Sequence, residues 1–135
     1  MGWGRRVKLL LDTCTLIWTI YSPAQLGKRS RQRIADGSNT VFVSAASAWE
    51  IATKVRRGRL PVALELERNF LEDMDEAGYS LLSIDAASAL RAGRLTAEHS
   101  DPFDRMIAAQ ALDMDIPVLS PDTKLDQFGV RRIWD

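Results

Sequence analysis

Apolar positions along this chain fall into short unbroken runs that alternate with longer stripes at helical spacing. Val7–Leu11 is a short apolar run cut off by Asp12, as expected of a parallel strand buried on both faces. Thr13–Tyr21 follows as a helix stopped before Pro23, and Ala24–Ala35 as a second, basic helix closed by Asp36-Gly37. Val41–Val43 predicts a second strand and Ala45–Arg57 a helix ended by Gly58. Pro61 opens a helical hairpin arm that runs to about Ala77, with Gly78 as its stop. Leu81–Ile84, Pro117–Leu119 and Val130–Trp134 complete the strands. Between them lie helices over Ala86–Ala92 and Pro102–Met114 and a helical turn or two over Thr123–Phe128. Strands alternating with helices imply one α/β domain, a parallel sheet covered on both faces. In such open sheets ligands bind outside the carboxyl ends of the strands.

Three acids, Asp12, Glu50 and Asp122, are placed towards that edge, and Asp104 is weighed with them. Asp12 directly follows the first strand, Asp122 lies just past the fourth, and Glu50 sits two turns into the helix after the second strand. Asp104 is in the first turn of the helix leading to the fourth strand. Each has an ordinary structural explanation. Asp12 and Asp122 suit helix N-caps, and Asp101-Pro102-Phe103-Asp104 fits a helix start with Asp101 as the cap. Glu50 precedes Lys54 by four residues, the favourable order for a helical ion pair. Together they are harder to explain that way, because Glu50 and Asp104 sit at the margins of apolar helix faces. Two carboxylates about 4 Å apart repel by roughly 4 kcal/mol at an effective dielectric near 20. A hard divalent cation relieves that repulsion, and all-oxygen ligation points to Mg²⁺ or Mn²⁺. Such an ion activates water and offsets charge on a phosphate, the chemistry of phosphodiester hydrolysis.

Composition narrows the alternatives. With Cys14 and His99 the only cysteine and histidine in 135 residues, neither an intrachain disulfide nor a structural zinc site can be built. Cys14 suits a small packing residue and His99 a loop-bracing one. The start of the chain, basic and then apolar, breaks at Asp12 too early for a secretion signal or membrane span, so a soluble, cytoplasmic protein is expected. Eighteen basic and eighteen acidic residues cancel, yet basic residues crowd into Arg5–Lys8, Lys28–Arg33 and Lys54–Arg59, and acidic ones into Glu65–Glu76. A neutral chain can still turn one positive face to a phosphate backbone.

Four segments carry a resemblance to a known family. They are Leu9-Leu-Leu-Asp12-Thr-Cys-Thr-Leu-Ile-Trp18, Ser44-Ala-Ala-Ser-Ala-Trp-Glu50-Ile-Ala-Thr-Lys54, His99-Ser-Asp-Pro-Phe-Asp104-Arg-Met-Ile-Ala-Ala-Gln-Ala111 and Pro117-Val-Leu-Ser120-Pro-Asp122. In this order they resemble the PIN-domain nucleases, and within them the VapC-type toxins of bacterial toxin–antitoxin pairs. The resemblance implies a three-layer sandwich around a parallel sheet of about five strands with a protruding helical arm, and a metal-dependent endoribonuclease. Carried over by position, Asp12, Glu50, Asp104 and Asp122 match the metal-binding acids. Thr13 and Ser120 match supporting hydroxyls, and Asp101 is an extra acid beside them. Pro121 departs from the charged residue expected there. The implied partners are an RNA substrate, with tRNA among the candidates, a VapB-type antitoxin that covers the site, and a second copy in a homodimer. Lys54, Arg56, Arg57 and Arg105 are candidates to hold the RNA backbone. Trp18, Ile20, Tyr21 and the arm Leu60–Met74 are candidates for the antitoxin groove.

Two other classes remain open at this level. A phospho-receiver domain would use Asp85, after the third strand, as its acceptor, although receivers carry paired acids where Asp12 stands alone. A binding module with an inactive acidic site would have no use for all four acids.

Overall fold

The computed structural model describes residues 6–135. Strands β1 (Lys8–Leu11), β2 (Thr40–Ser44), β3 (Ser80–Leu82), β4 (Val118–Leu119) and β5 (Arg132–Ile133) form one sheet in the order β3-β2-β1-β4-β5, every pair parallel. Helices α1 (Thr13–Tyr21), α2 (Lys28–Ala35), α3 (Ala45–Arg56), α4 (Leu64–Arg68), α5 (Phe70–Ala77), α6 (Ala86–Arg94) and α7 (Pro102–Met114) connect them. The central strand β1 is sealed on both faces, with Leu9, Leu10 and Leu11 all at 0% exposure. Leu11 packs with Leu16, Val43, Ile51, Phe70 and Met74 on one side of the sheet. Leu10 packs with Ala46, Ile107, Val118 and Phe128 on the other. This is the expected three-layer α/β architecture. No helix among the described residues is long and apolar enough to cross a membrane.

Several boundaries differ from the pattern. Helix α2 starts at Lys28, not Ala24, because Pro23–Gln25 forms a separate 3₁₀ turn and Leu26 turns into the core at 5% exposure. A distant side chain caps its start. Asp135 accepts hydrogen bonds from the backbone N–H groups of Arg29 and Ser30, both at 2.9 Å, and from the Ser30 hydroxyl at 3.1 Å. A Cβ at Gly27 would meet the Asp135 carboxylate at 1.9 Å, so any other residue there displaces this cap. The segment expected as a protruding arm is a 3₁₀ turn and two short helices broken at Asn69, and it lies down on the sheet. Ala63, Leu66, Phe70 and Met74 are buried in the core, while Val62, Leu64 and Leu71 stay outside. Burying that apolar stripe outweighs holding the arm in water. Strand β3 is shorter and earlier than Leu81–Ile84, β5 is a two-residue core of Val130–Trp134, and α6 runs two residues past Ala92. Of the basic run Arg5–Lys8, Arg5 lies outside the described residues, and Arg6 and Lys8 are exposed.

Candidate active site

The chain leaves β1 for β2 on one side of the sheet and later returns to β4 on the other, which opens a crevice at the carboxyl ends of β1 and β4. Register puts Leu11 opposite Leu119, so the next residues, Asp12 and Ser120, stand abreast. The Ser120 hydroxyl donates to Asp12 Oδ2 at 2.5 Å. Asp12 Oδ1 caps α1 by accepting the Thr15 N–H at 2.9 Å. Ser120 Oγ accepts the Asp122 N–H at 3.0 Å, and the Thr15 hydroxyl donates to the Leu119 carbonyl at 2.9 Å. Asp12 is only 4% exposed. Burial pushes its carboxyl above the usual range, and the neighbouring Asp122 adds to this, although the Ser120 and Thr15 bonds pull the other way.

A second flank is built on α3 and α7. Glu50, 6% exposed, is paired with Lys54 one turn on. Asp104 meets His99 Nε2 at 2.8 Å. Burial raises the Asp104 carboxyl to about 6, helped by repulsion from Asp101 and Glu50 and opposed by the His99 bond. The thiol of Cys14 samples both flanks. Burial and the fields of Asp12, Asp122 and Glu50 raise it to about 11, although the residue is exposed at the rim and not packed inside as its size suggested. Thr13, Cys14, Trp18, Glu50 and Lys54 line a cavity of about 240 Å³ beside these acids.

The four acids thus share one electrostatic field but not one coordination sphere. Among the described residues no three Asp, Glu, His or Cys side chains converge to metal-ligating distance. Asp12 is tied to Ser120 and Thr15, Glu50 to Lys54, Asp104 to His99, and Asp122 to the Lys124 N–H at 3.0 Å. The donor set nevertheless suits a hard divalent cation. It is all oxygen, two of its members are desolvated carboxyls raised above their ordinary range, and Glu50 already holds a cation, the Lys54 ammonium.

The supporting residues divide. Ser120 supports Asp12 directly. The Thr13 hydroxyl instead bonds Ser47 at 2.9 Å, a partner that the Ser44-x-x-Ser47 spacing could have suggested. Asp101 is the N-cap of α7, accepting the N–H groups of Phe103 and Asp104 at 2.9 and 3.0 Å. Arg105, a candidate for holding RNA, is turned inward. Its guanidinium donates to the carbonyls of Ala92, Leu95, Ala97 and His99, clamping the loop that carries His99. A group bonded to four carbonyls has little left for a phosphate. Arg56 and Arg57 are exposed, and Lys54 is partly so. Trp18 packs against Trp134 with ring centroids 6.2 Å apart, and the Tyr21 hydroxyl accepts the Leu66 N–H at 3.2 Å; of the three aromatic and aliphatic groove candidates only Ile20 is exposed. Asp85 lies off β3, two strands from β1, where it caps α6 by accepting the Ser88 N–H at 2.7 Å. That position, away from Asp12, removes the receiver reading's acceptor from the acid crevice.

The PIN domain family model matches residues 9–130, from β1 to just before β5. The chain belongs to the PIN-domain family. Over 59 residues it is 42% identical to Ribonuclease VapC16 of Mycobacterium tuberculosis, a stretch that spans 43% of this chain and 41% of that relative. The structure of VapBC2 from Rickettsia felis bound to a DNA fragment from their promoter superposes with a TM-score of 0.70 at 17% identity, covering 96% of this chain and 100% of the other. That of VapBC-1 from nontypeable Haemophilus influenzae gives 0.67 at 16% identity, covering 94% and 97%. At such identities the two likenesses establish the PIN fold.

Proposed function

We propose that this PIN domain is a Mg²⁺- or Mn²⁺-dependent endoribonuclease of the VapC toxin type, hydrolysing RNA phosphodiester bonds in the cytoplasm. The observation that carries this reading is the gathering of Asp12, Glu50, Asp104 and Asp122 at the switch point of the sheet, with Asp12 and Asp104 desolvated and raised. Family membership and the partial match to a relative named a ribonuclease support it.

On this reading Asp12, Glu50, Asp104 and Asp122 would hold the ion, which would supply Lewis acidity toward water and phosphate oxygen. Ser120 and the α1 N-terminus fix the rotamer of Asp12, so that one carboxylate is aimed before anything binds. Glu50 and Asp104, paired here with Lys54 and His99, would be the acids that hold the ion from the α3–α7 side. Lys54, Arg56 and Arg57 are candidates to hold the strand on the exposed edge of α3; such contacts position RNA without reading its sequence. The partners that go with the reading are RNA, tRNA being one class to try, a VapB-type antitoxin, and a second copy of the chain.

The decisive experiment is cleavage of mixed tRNA and a synthetic RNA set by the antitoxin-free protein, with Mg²⁺, with Mn²⁺ and with EDTA. Metal-dependent cutting that falls by on the order of 10³-fold in Asp12→Asn and in Asp104→Asn is expected. Cutting that survives EDTA and both substitutions would sink the proposal. Tight Mn²⁺ binding with no cutting of any RNA would favour the inactive binding module.

A further inference from the structure

Three tryptophans lie among the described residues, and they are not used alike. Trp18 and Trp134 are partly buried and pack on each other, with ring centroids 6.2 Å apart. Trp49 is 58% exposed, yet it is not loose. Its ring meets Phe103 edge-on, with centroids 4.7 Å apart and planes at 74°. An aromatic ring held in place and left facing solvent is a flat surface that a ligand need not order first. Trp49 directly precedes Glu50 on α3, and Phe103 directly precedes Asp104 on α7. The aromatic pair therefore stands beside two acids of the crevice.

Trp49 also walls a cavity of about 200 Å³, which it shares with Ile84, Gly93 of α6 and Met106 of α7. Sites for drug-sized ligands hold roughly 300–1,000 Å³, so this slot suits a single flat ring system. Gly93 leaves its wall bare, although glycine weakens a helix and a Cβ there would meet nothing within 4 Å. Arg105 is the one charged residue on the lining, and its guanidinium is bonded to four carbonyls. The slot offers faces to pack against and little with which to read the edge of a ring.

We infer that Trp49 is a stacking platform for one base of the RNA strand, which enters the slot between Trp49 and Gly93. The inference deepens the proposed function and rests on its RNA substrate, not on the metal. Charge selects this occupant. Arg56 follows Trp49 by seven residues, which puts it within about 20° of the same helix face and about 10 Å further along α3. Arg56 and Arg57 are both exposed. Single strands are held by this combination, aromatic faces for the bases and a basic track for the phosphates. A second copy apposed through this face would bring two sets of arginines together, whereas RNA brings the opposite charge. Every base has a face to stack, so the platform tolerates sequence. It fixes where the strand lies relative to the acids, not which base is cut.

Anisotropy of a short labelled single-stranded RNA in EDTA tests this, because binding is then read without metal and without cleavage. The antitoxin-free wild type is expected to hold that RNA about 10-fold or more tighter than a strand of the same length made of abasic residues. Trp49→Ala removes most of this preference, and Trp49→Phe restores much of it. Salt separates stacking from charge. Trp49→Ala lowers affinity without changing the salt dependence, while Arg56→Ala flattens the slope of log affinity against log salt by about 0.7. Leu71→Ala, at a side chain 70% exposed on α5, changes neither. A wild type that binds both strands equally, or binds neither, overturns the proposal, and so does a Trp49→Ala variant that keeps the full preference. If sedimentation shows that Trp49→Ala splits a dimer and RNA affinity falls only with that dissociation, the face belongs to a second copy and the proposal fails. A wild type that shows the Trp49-dependent preference but cuts no RNA upholds the platform and removes the nuclease reading. One that cuts RNA without the preference does the reverse.

Discussion

The two flanks of the acid crevice are held by different chemistry. On the β1–β4 side, Asp12 is fixed by a serine hydroxyl and a backbone N–H, both neutral donors. On the α3–α7 side, Glu50 and Asp104 lean on Lys54 and His99, side chains that carry or can carry the charge a metal would bring. The first flank is set when the sheet forms. The second is held by pairings that a divalent ion bound by these acids would replace. An arrangement of this kind keeps one acid preorganised and gives each of the others a partner of its own.

The contrast can be broken most forcefully from behind the second flank. Arg105→Met removes the donor to three loop carbonyls and one at the end of α6, and we expect about 3 kcal/mol of lost stability, read as a lower urea midpoint. Survival of normal stability would mean that the loop carrying His99 does not depend on the clamp. On the first flank, Ser120→Ala leaves one oxygen of a buried carboxylate without its donor, at a cost of about 2 kcal/mol in the metal-free protein. Excess Mn²⁺ should recover part of that loss.

Titration sharpens the difference. Asp104 has its folded-state pKa raised from 3.8 to about 6, so the native state binds this proton more tightly than the unfolded chain. Its contribution is fully present below pH 4 and is lost as the pH rises through 6. Relative to Asp104→Asn, the metal-free wild type should therefore lose on the order of 2 kcal/mol between pH 4 and 7. A stability difference between the two that stays flat across this range contradicts the assigned desolvation. The smallest expected effect is on Lys54. Lys54→Met removes the competitor at Glu50, and calorimetry should show Mn²⁺ affinity unchanged or up to several-fold tighter, whereas a loss of affinity would make the ammonium a helper and not a stand-in.

The first flank was the more legible of the two in the sequence. An apolar run ending in an acid announces a buried strand and a residue at its carboxyl edge, and Asp12 is where that pattern put it. Helix stops were equally plain at Gly58 and Gly78, where φ is 70° and 77°. The second flank was harder, because its supports act through space. Arg105 beside an acid suggests a phosphate holder, and only the folded loop reveals the carbonyls it serves. Thr13 bonds Ser47, 34 residues away. The start of α2 was misplaced for the same reason, since its cap, Asp135, lies 106 residues from Arg29. Short strands such as β3 and β5 carry too few residues to fix their own limits, so their ladder partners do.

Strand β4 has only two residues in register with β1, and the Asp12–Ser120 bond that completes the first flank joins positions 108 apart. Closing so long a loop is slow compared with forming α1 or α3. On a ribosome, then, Asp12 emerges before its partner and waits: until residues 118–120 are made and docked, the central strand lacks one neighbour and the acid lacks its hydroxyl. A growing chain of this kind carries Asp12 without an assembled site until Ser120 has been added and docked.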